Sequence, residues 1–129
     1  MALQRINPAN MGAEPASYSQ GIVVPAGAQT LYIAGQIGVD ASGAVSPDFA
    51  RQCKQTWSNL LSVLEAAGMK ASDLVKTTAF LVNPADYAAF AEIRKEILGT
   101  HKPASTLVYV SALVKPEWKV EIEAVAVRG

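Results

Sequence analysis

Two glutamates near the end of the chain, Glu121 and Glu123, stand two residues apart in the run KVEIEAVAV (119–127). In a strand that spacing puts both carboxylates on one face. A carboxylate held in a cleft can take a proton from water and return it. On a washed face the same pair is a solvated or salt-bridged surface feature. Ser105 and Thr106 supply adjacent hydroxyls. A serine nucleophile needs a base that is itself oriented by a third group, and no such relay accompanies Ser105, so serine-hydrolase chemistry is rejected. The single histidine, His101, follows the second predicted helix, where an imidazolium is favoured at the C-terminal end. The single cysteine, Cys53, lies on an apolar helical stripe and reads as a buried, inert thiol. One cysteine and one histidine leave no intrachain disulfide framework and no multi-cysteine or histidine-rich metal site, so no metal is expected.

These groups need elements to position them. Residues 1–17 are rich in Asn, Pro, Gly and Ala and read as an extended arm. Tyr18–Val24 and Thr30–Val39 flank the turn Pro25-Ala26-Gly27 and predict a β-hairpin. Ser46 is the candidate N-cap of a first helix with Pro47 at its first position. Phe49, Cys53, Trp57, Leu60, Leu61 and Leu64 form the stripe of that helix, and Gly68 stops it. Val75–Val82 reads as a strand. A second helix over about 85–98 carries Tyr87, Phe90, Ile93 and Ile97 on its apolar side, with Arg94 as a surface charge. Ala104–Val110 and Lys119–Val127 are the last two strands. The order ββαβαββ predicts an α+β domain spanning 1–129, a mixed sheet with two helices on one face. Val75–Val82 and Lys119–Val127 carry apolar groups on both faces, so the face without helices is expected to pack against other subunits; the alternative cover is the arm.

Composition narrows the function classes. The chain has 129 residues, 50% of them hydrophobic and 17% charged, with eleven basic and eleven acidic side chains. That balance suits one folded domain and argues against nucleic acid as a partner, because phosphate contacts call for a basic patch. No segment has the apolar length of a membrane span or the h-region of a signal peptide, which makes a cytoplasmic protein the simplest expectation.

Several phrases, in this order, resemble the RidA/YjgF family, also called endoribonuclease L-PSP-like proteins. They are Tyr18-Ser19-Gln20, Gly35-Gln36-Ile37, the long stretch Leu60–Phe90, Pro103-Ala104 and Val120-Glu121-Ile122-Glu123-Ala124. The resemblance implies a chorismate-mutase-like fold and a homotrimer whose sheets form a central barrel, with small-molecule clefts between subunits. It implies hydrolysis of reactive enamines and imines such as 2-aminoacrylate, without metal or cofactor. It makes Glu121 the acid/base and Tyr18, Gly35, Gln36, Ser105, Thr106 and Leu107 the pocket lining. This sequence departs from the family pattern where an arginine follows Pro-Ala: Ser105 stands there. Leu107 fills a position commonly Cys or Ala, and Ala91 one that is often Asn. An Arg–carboxylate pair is bidentate and charge-assisted, and Ser105 is short and uncharged. The expectation is a divergent deaminase with poor 2-aminoacrylate activity and a pocket for neutral or cationic ligands. The competing classes are a non-catalytic ligand-binding or chaperone-like trimer and, against the charge balance, a ribonuclease. Arg5, Arg94, Lys115 and Arg128 are the cations that can stand in for the missing one, reaching the cleft from a neighbouring chain.

Overall fold

The computed structural model describes residues 2–129. In chain order the elements are β1 (Gln4–Ile6), β2 (Gly21–Val23), β3 (Gln29–Gln36), α1 (Phe49–Ala66), β4 (Leu74–Leu81), α2 (Tyr87–Leu98), β5 (Ala104–Tyr109) and β6 (Val120–Arg128). The main sheet runs β3-β6-β4-β5. β6 is antiparallel to both neighbours and β4 is parallel to β5, so the sheet is mixed. A parallel pair needs a crossover, and α2 supplies it between β4 and β5.

The predicted hairpin does not form. β2 pairs with β1, Arg5 opposite Ile22, and the arm thereby holds a strand where a loop was expected. β3 pairs instead with the nine-residue β6, burying Ile33 opposite Ala124. The three residues of β2 offer no comparable apolar ladder, because they are half-buried to exposed. Long pairing with one buried face outweighs the local turn.

α1 begins one turn signal later than the sequence suggested. Asp48, not Ser46, is the N-cap, its carboxylate accepting from Arg51 N at 3.0 Å. Pro47 lies outside the helix, and Ser46 Oγ accepts from Asp48 N at 3.1 Å. Gly99 ends α2 with a positive φ of 58°, where a side chain would be strained. Phe49, Cys53, Trp57, Leu60 and Leu64 of α1 meet Phe90 and Ile93 of α2 over Ile122, Ala124 and Ala126 of β6. Cys53 is fully buried, and burial pushes its thiol up to about 12, with the Asp86 charge adding to the effect.

A polar strut that the apolar pattern concealed joins α1 to β6. Gln52 is buried on α1. Its Nε2 donates to Ser46 O at 3.0 Å and Glu117 O at 3.1 Å, and its Oε1 accepts from Lys119 N at 2.6 Å. This fixes the loop that leads into the glutamate strand. Gly38 lets the chain pass Gln52, since a Cβ there would lie 2.6 Å from Gln52 Cγ.

The helices cover one face of the sheet. The other is open: Tyr32 is 80% exposed, Val108 39%, and Phe80 and Val125 are half-buried. The arm does not cover this face; it is tied up with β2.

Candidate functional site

Strand alternation separates the predicted site residues into two groups. Thr77 is buried on the helix side, and its hydroxyl shares a 2.7 Å hydrogen bond with Ser105 Oγ, its partner on β5. Phe80, three residues on, faces the open side opposite Glu121. Ser105 and Glu121 of one chain therefore lie on opposite faces of the sheet.

Glu121 sits at a break in the β3–β6 register. The ladder shifts between Ile33 and Gln36, a bulge that leaves Gly35 facing the carboxylate. A Cβ on Gly35 would overlap Glu121 Oε2 and lie 2.9 Å from its Cδ. Only glycine admits the carboxylate there. Gln36 Nε2 donates to Ala34 O at 3.0 Å, so its side chain folds back on the bulge. Glu121 is half-buried beside Phe80, whereas Glu123, opposite Thr78, is exposed. Among the described residues the ion pair is Arg5–Glu14, so Glu123 is solvated and not salt-bridged.

On the helix side, Tyr18, Ser105 and Leu107 line one cavity of about 210 Å³ together with Ser17, Tyr87 and Arg94. Tyr18 is placed by its buried neighbour Ser19, whose N–H bonds Pro103 O at 3.1 Å and whose hydroxyl donates to Lys102 O at 2.5 Å. Arg5 Nε in turn donates to Ser19 Oγ at 2.7 Å. Thr106 is absent from this cavity. It points to the open face, where it accepts from Lys76 Nζ at 2.7 Å.

Three expectations are corrected here. Tyr87 is 40% exposed on the cavity wall instead of in the core, because it shares a helix face with Arg94 seven residues on. Arg94 is not a free surface charge: its guanidinium stacks 5.4 Å from the Phe90 ring centroid and its Nη2 donates to Ser17 Oγ at 3.3 Å. A cation thus lines the Ser105 cavity, which removes the ground for expecting only neutral or cationic ligands. His101 does not cap α2 through its ring. Its Nε2 meets Leu74 O at 2.7 Å, and since a carbonyl only accepts, that nitrogen carries hydrogen. The backbone N–H of His101 bonds Leu98 O at 3.0 Å instead.

Arg94 was named as a stand-in cation and Tyr87 as a core residue; that both line the cavity of their own chain was missed, although their seven-residue spacing marks a common helix face. Among the described residues no group of three or more His, Cys, Asp or Glu is placed to hold a metal, and no helix is long and apolar enough to cross a membrane.

The profile of the endoribonuclease L-PSP family matches residues 11–128. The human protein named 2-iminobutanoate/2-iminopropanoate deaminase is 40% identical over 114 residues, 87% of this chain and 80% of its own. The Salmonella typhimurium protein of the same name is 37% identical over 123 residues, 92% and 93% of the two chains. The crystal structure of YyfB from Yersinia pestis, titled a protein of unknown function of the conserved Rid family, superposes with a TM-score of 0.86 at 36% identity, covering 98% of both chains. Escherichia coli TdcF with bound serine gives 0.74 at 30% identity, covering 98% of this chain and 99% of that one. With the family profile matching residues 11–128 and relatives 37–40% identical along most of its length, the chain belongs to the RidA/YjgF, or endoribonuclease L-PSP, family.

Proposed function

We propose that this protein is a hydrolytic deaminase of imines and enamines, working as a homotrimer in clefts that two copies complete. The observation that carries this is the seating of Glu121 against bare backbone at Gly35, beside Phe80 on a half-apolar face. A carboxylate held in one position can accept a proton from water as the oxygen attacks the C=N carbon and return it to the nitrogen, then carry the proton of the resulting hydroxyl to that nitrogen as the carbonyl forms and ammonia leaves. The balance is one imine and one water to one carbonyl compound and one ammonia. An enamine first takes a proton on carbon to become the imine. Relatives named 2-iminobutanoate/2-iminopropanoate deaminases at 37–40% identity support the chemistry.

The cavity of Tyr18, Ser105 and Leu107 lies across the sheet from Glu121 of the same chain. A neighbouring copy that lays its open face against the β5 edge brings its own Glu121 to this cavity. The uncovered Tyr32 and Val108 supply apolar surface for that contact. The barrel of sheets belongs to the same assembly.

Specificity follows from where positive charge stands. Ser105 puts no guanidinium on β5, and its hydroxyl is occupied by Thr77. In 2-aminoacrylate the carboxylate is attached directly to the reacting carbon, so its anchor must stand beside the reaction point. Arg94 stands on the α2 wall, held by Ser17 and Phe90. Turnover of 2-aminoacrylate is therefore poor, and imines whose negative charge lies farther from the C=N bond are preferred. The test is ammonia release from freshly generated imines of both kinds by the wild type and Glu121→Gln. The expected loss in the variant is at least a hundredfold, the usual scale of a positioned acid/base. Undiminished turnover by Glu121→Gln, or rapid turnover of 2-aminoacrylate, overturns the assignment.

A further inference from the structure

Next to the Ser105 cavity lies a second one, of about 320 Å³, with Ser17 and Arg94 as the wall common to both. Its floor is apolar: Ala91 and Leu98 of α2. Its rim carries Arg94, Lys95 and Lys102, and no aspartate or glutamate lines it. Among the described residues none of these three cations is in an ion pair. The C-terminal end of α2 opposes an anion with about half a negative charge, but two of its carbonyls are already bonded, Lys95 O to Gly99 N and Leu98 O to His101 N. Three full cations outweigh that remainder. Ala91 matters as well, because its small side chain leaves the floor open.

We propose that this cavity binds the anionic tail of the substrate, an aliphatic chain ending in a carboxylate, while the imine end lies in the neighbouring Ser105 cavity. The inference rests on the deaminase reading and names the substrate class it takes: an imine whose carboxylate is several carbons away. The apolar floor takes the methylenes. Lys95, Lys102 and Arg94 take the carboxylate by charge-assisted hydrogen bonds. The Arg94–Ser17 contact, long at 3.3 Å, is the partition the chain must cross. The volume equals about ten waters at ~30 Å³ each, room for an acid of about eight heavy atoms.

Hexanoate and its neutral isostere hexanamide test this on the full-length protein by NMR titration, read at Ala91 and Leu98. Hexanoate is expected to saturate, to weaken with added salt, and to bind at least tenfold more tightly than hexanamide. The double variant Lys95→Ala/Lys102→Ala is expected to lose at least tenfold in hexanoate affinity. Ala91→Leu, which fills the floor, is expected to abolish binding. Equal affinity for the two probes, an unchanged affinity in the lysine variant, or shifts confined to another cavity overturns the proposal. Should Ala91→Leu not fold, the lysine variant decides alone, since it changes only side chains at the rim. Titration measures binding without turnover, so the two readings fail separately. Intact hexanoate binding with no imine hydrolysis sinks the deaminase assignment alone. Hydrolysis without hexanoate binding sinks the tail site alone.

Discussion

Replacing Gly35 by alanine moves the proposed acid/base without touching it chemically. The added Cβ would overlap Glu121 Oε2 and stand 2.9 Å from Cδ and 3.1 Å from Cγ, where ordinary contact begins at 3.4 Å. The obstacle is the end of a flexible side chain, so the carboxylate swings away and the strand stays. Clearing the overlap displaces the oxygen by about 1 Å or more, and misplacement on that scale costs about a hundredfold in rate, or ~2.7 kcal/mol in the barrier. Gly35 is exposed and has no positive φ, so alanine fits its backbone and thermal stability changes little. The assay is ammonia release from an imine with a distant carboxylate, with kcat and KM separated, alongside a melting curve. A cycle with Glu121→Gln sharpens the reading. If Gly35 acts only by placing Glu121, Gly35→Ala costs nothing further once Glu121 is glutamine. A fully active Gly35→Ala protein, or equal additive losses in the double variant, would refute the positional role of the bulge.

Gln52→Leu removes three hydrogen bonds from the buried Gln52 side chain to the backbone of Ser46, Glu117 and Lys119. At about 0.5–1.5 kcal/mol net for each hydrogen bond, chemical denaturation should show a loss of at least ~1.5 kcal/mol; no measurable loss would show the strut to be dispensable. Cys53 sets a pH dependence. Its folded pKa, about 12, lies above the ordinary 9.0, so the stability it contributes is complete below pH 9 and fades as pH rises towards 12. Cys53→Ala should lower stability at pH 7 and flatten its decline across that window, and native protein should resist iodoacetamide at pH 8; prompt labelling of folded protein would contradict the burial.

The helices were legible because their apolar positions repeat at three and four residues, and Phe49, Cys53, Trp57, Leu60 and Leu64 are buried as that period requires. The alternation of Val120, Ile122, Ala124 and Ala126 likewise marked the covered face of β6. The pairing of β2 with β1 was not legible, since it depends on which distant strand offers the longer buried ladder. Asp48 displaced Ser46 as the cap because both are good cap residues two positions apart, and only the backbone bend selects between them. At the candidate site, Glu121, Tyr18, Ser105 and Leu107 were picked out by the family resemblance. Arg94 was one of four stand-in cations, and its place in the cavity of its own chain was not legible, because it is set by stacking on Phe90 and by the arm that brings Ser17 to it. Nor does one sequence reveal that Ser105 and Glu121 face away from each other; that follows from the β4 register alone.

The proposed assembly of the site from two copies is tested most directly by subunit complementation. Glu121→Gln lacks the carboxylate, and a variant with Tyr18→Ala and Leu107→Trp has its cavity blocked. Each variant alone is predicted to release no ammonia from an imine with a distant carboxylate. Mixed and refolded together, the two should regain a substantial fraction of wild-type rate, because some clefts join an intact Glu121 to an intact cavity. Full activity in a monomer, or no recovery in trimers shown to contain both chains, would contradict the shared site.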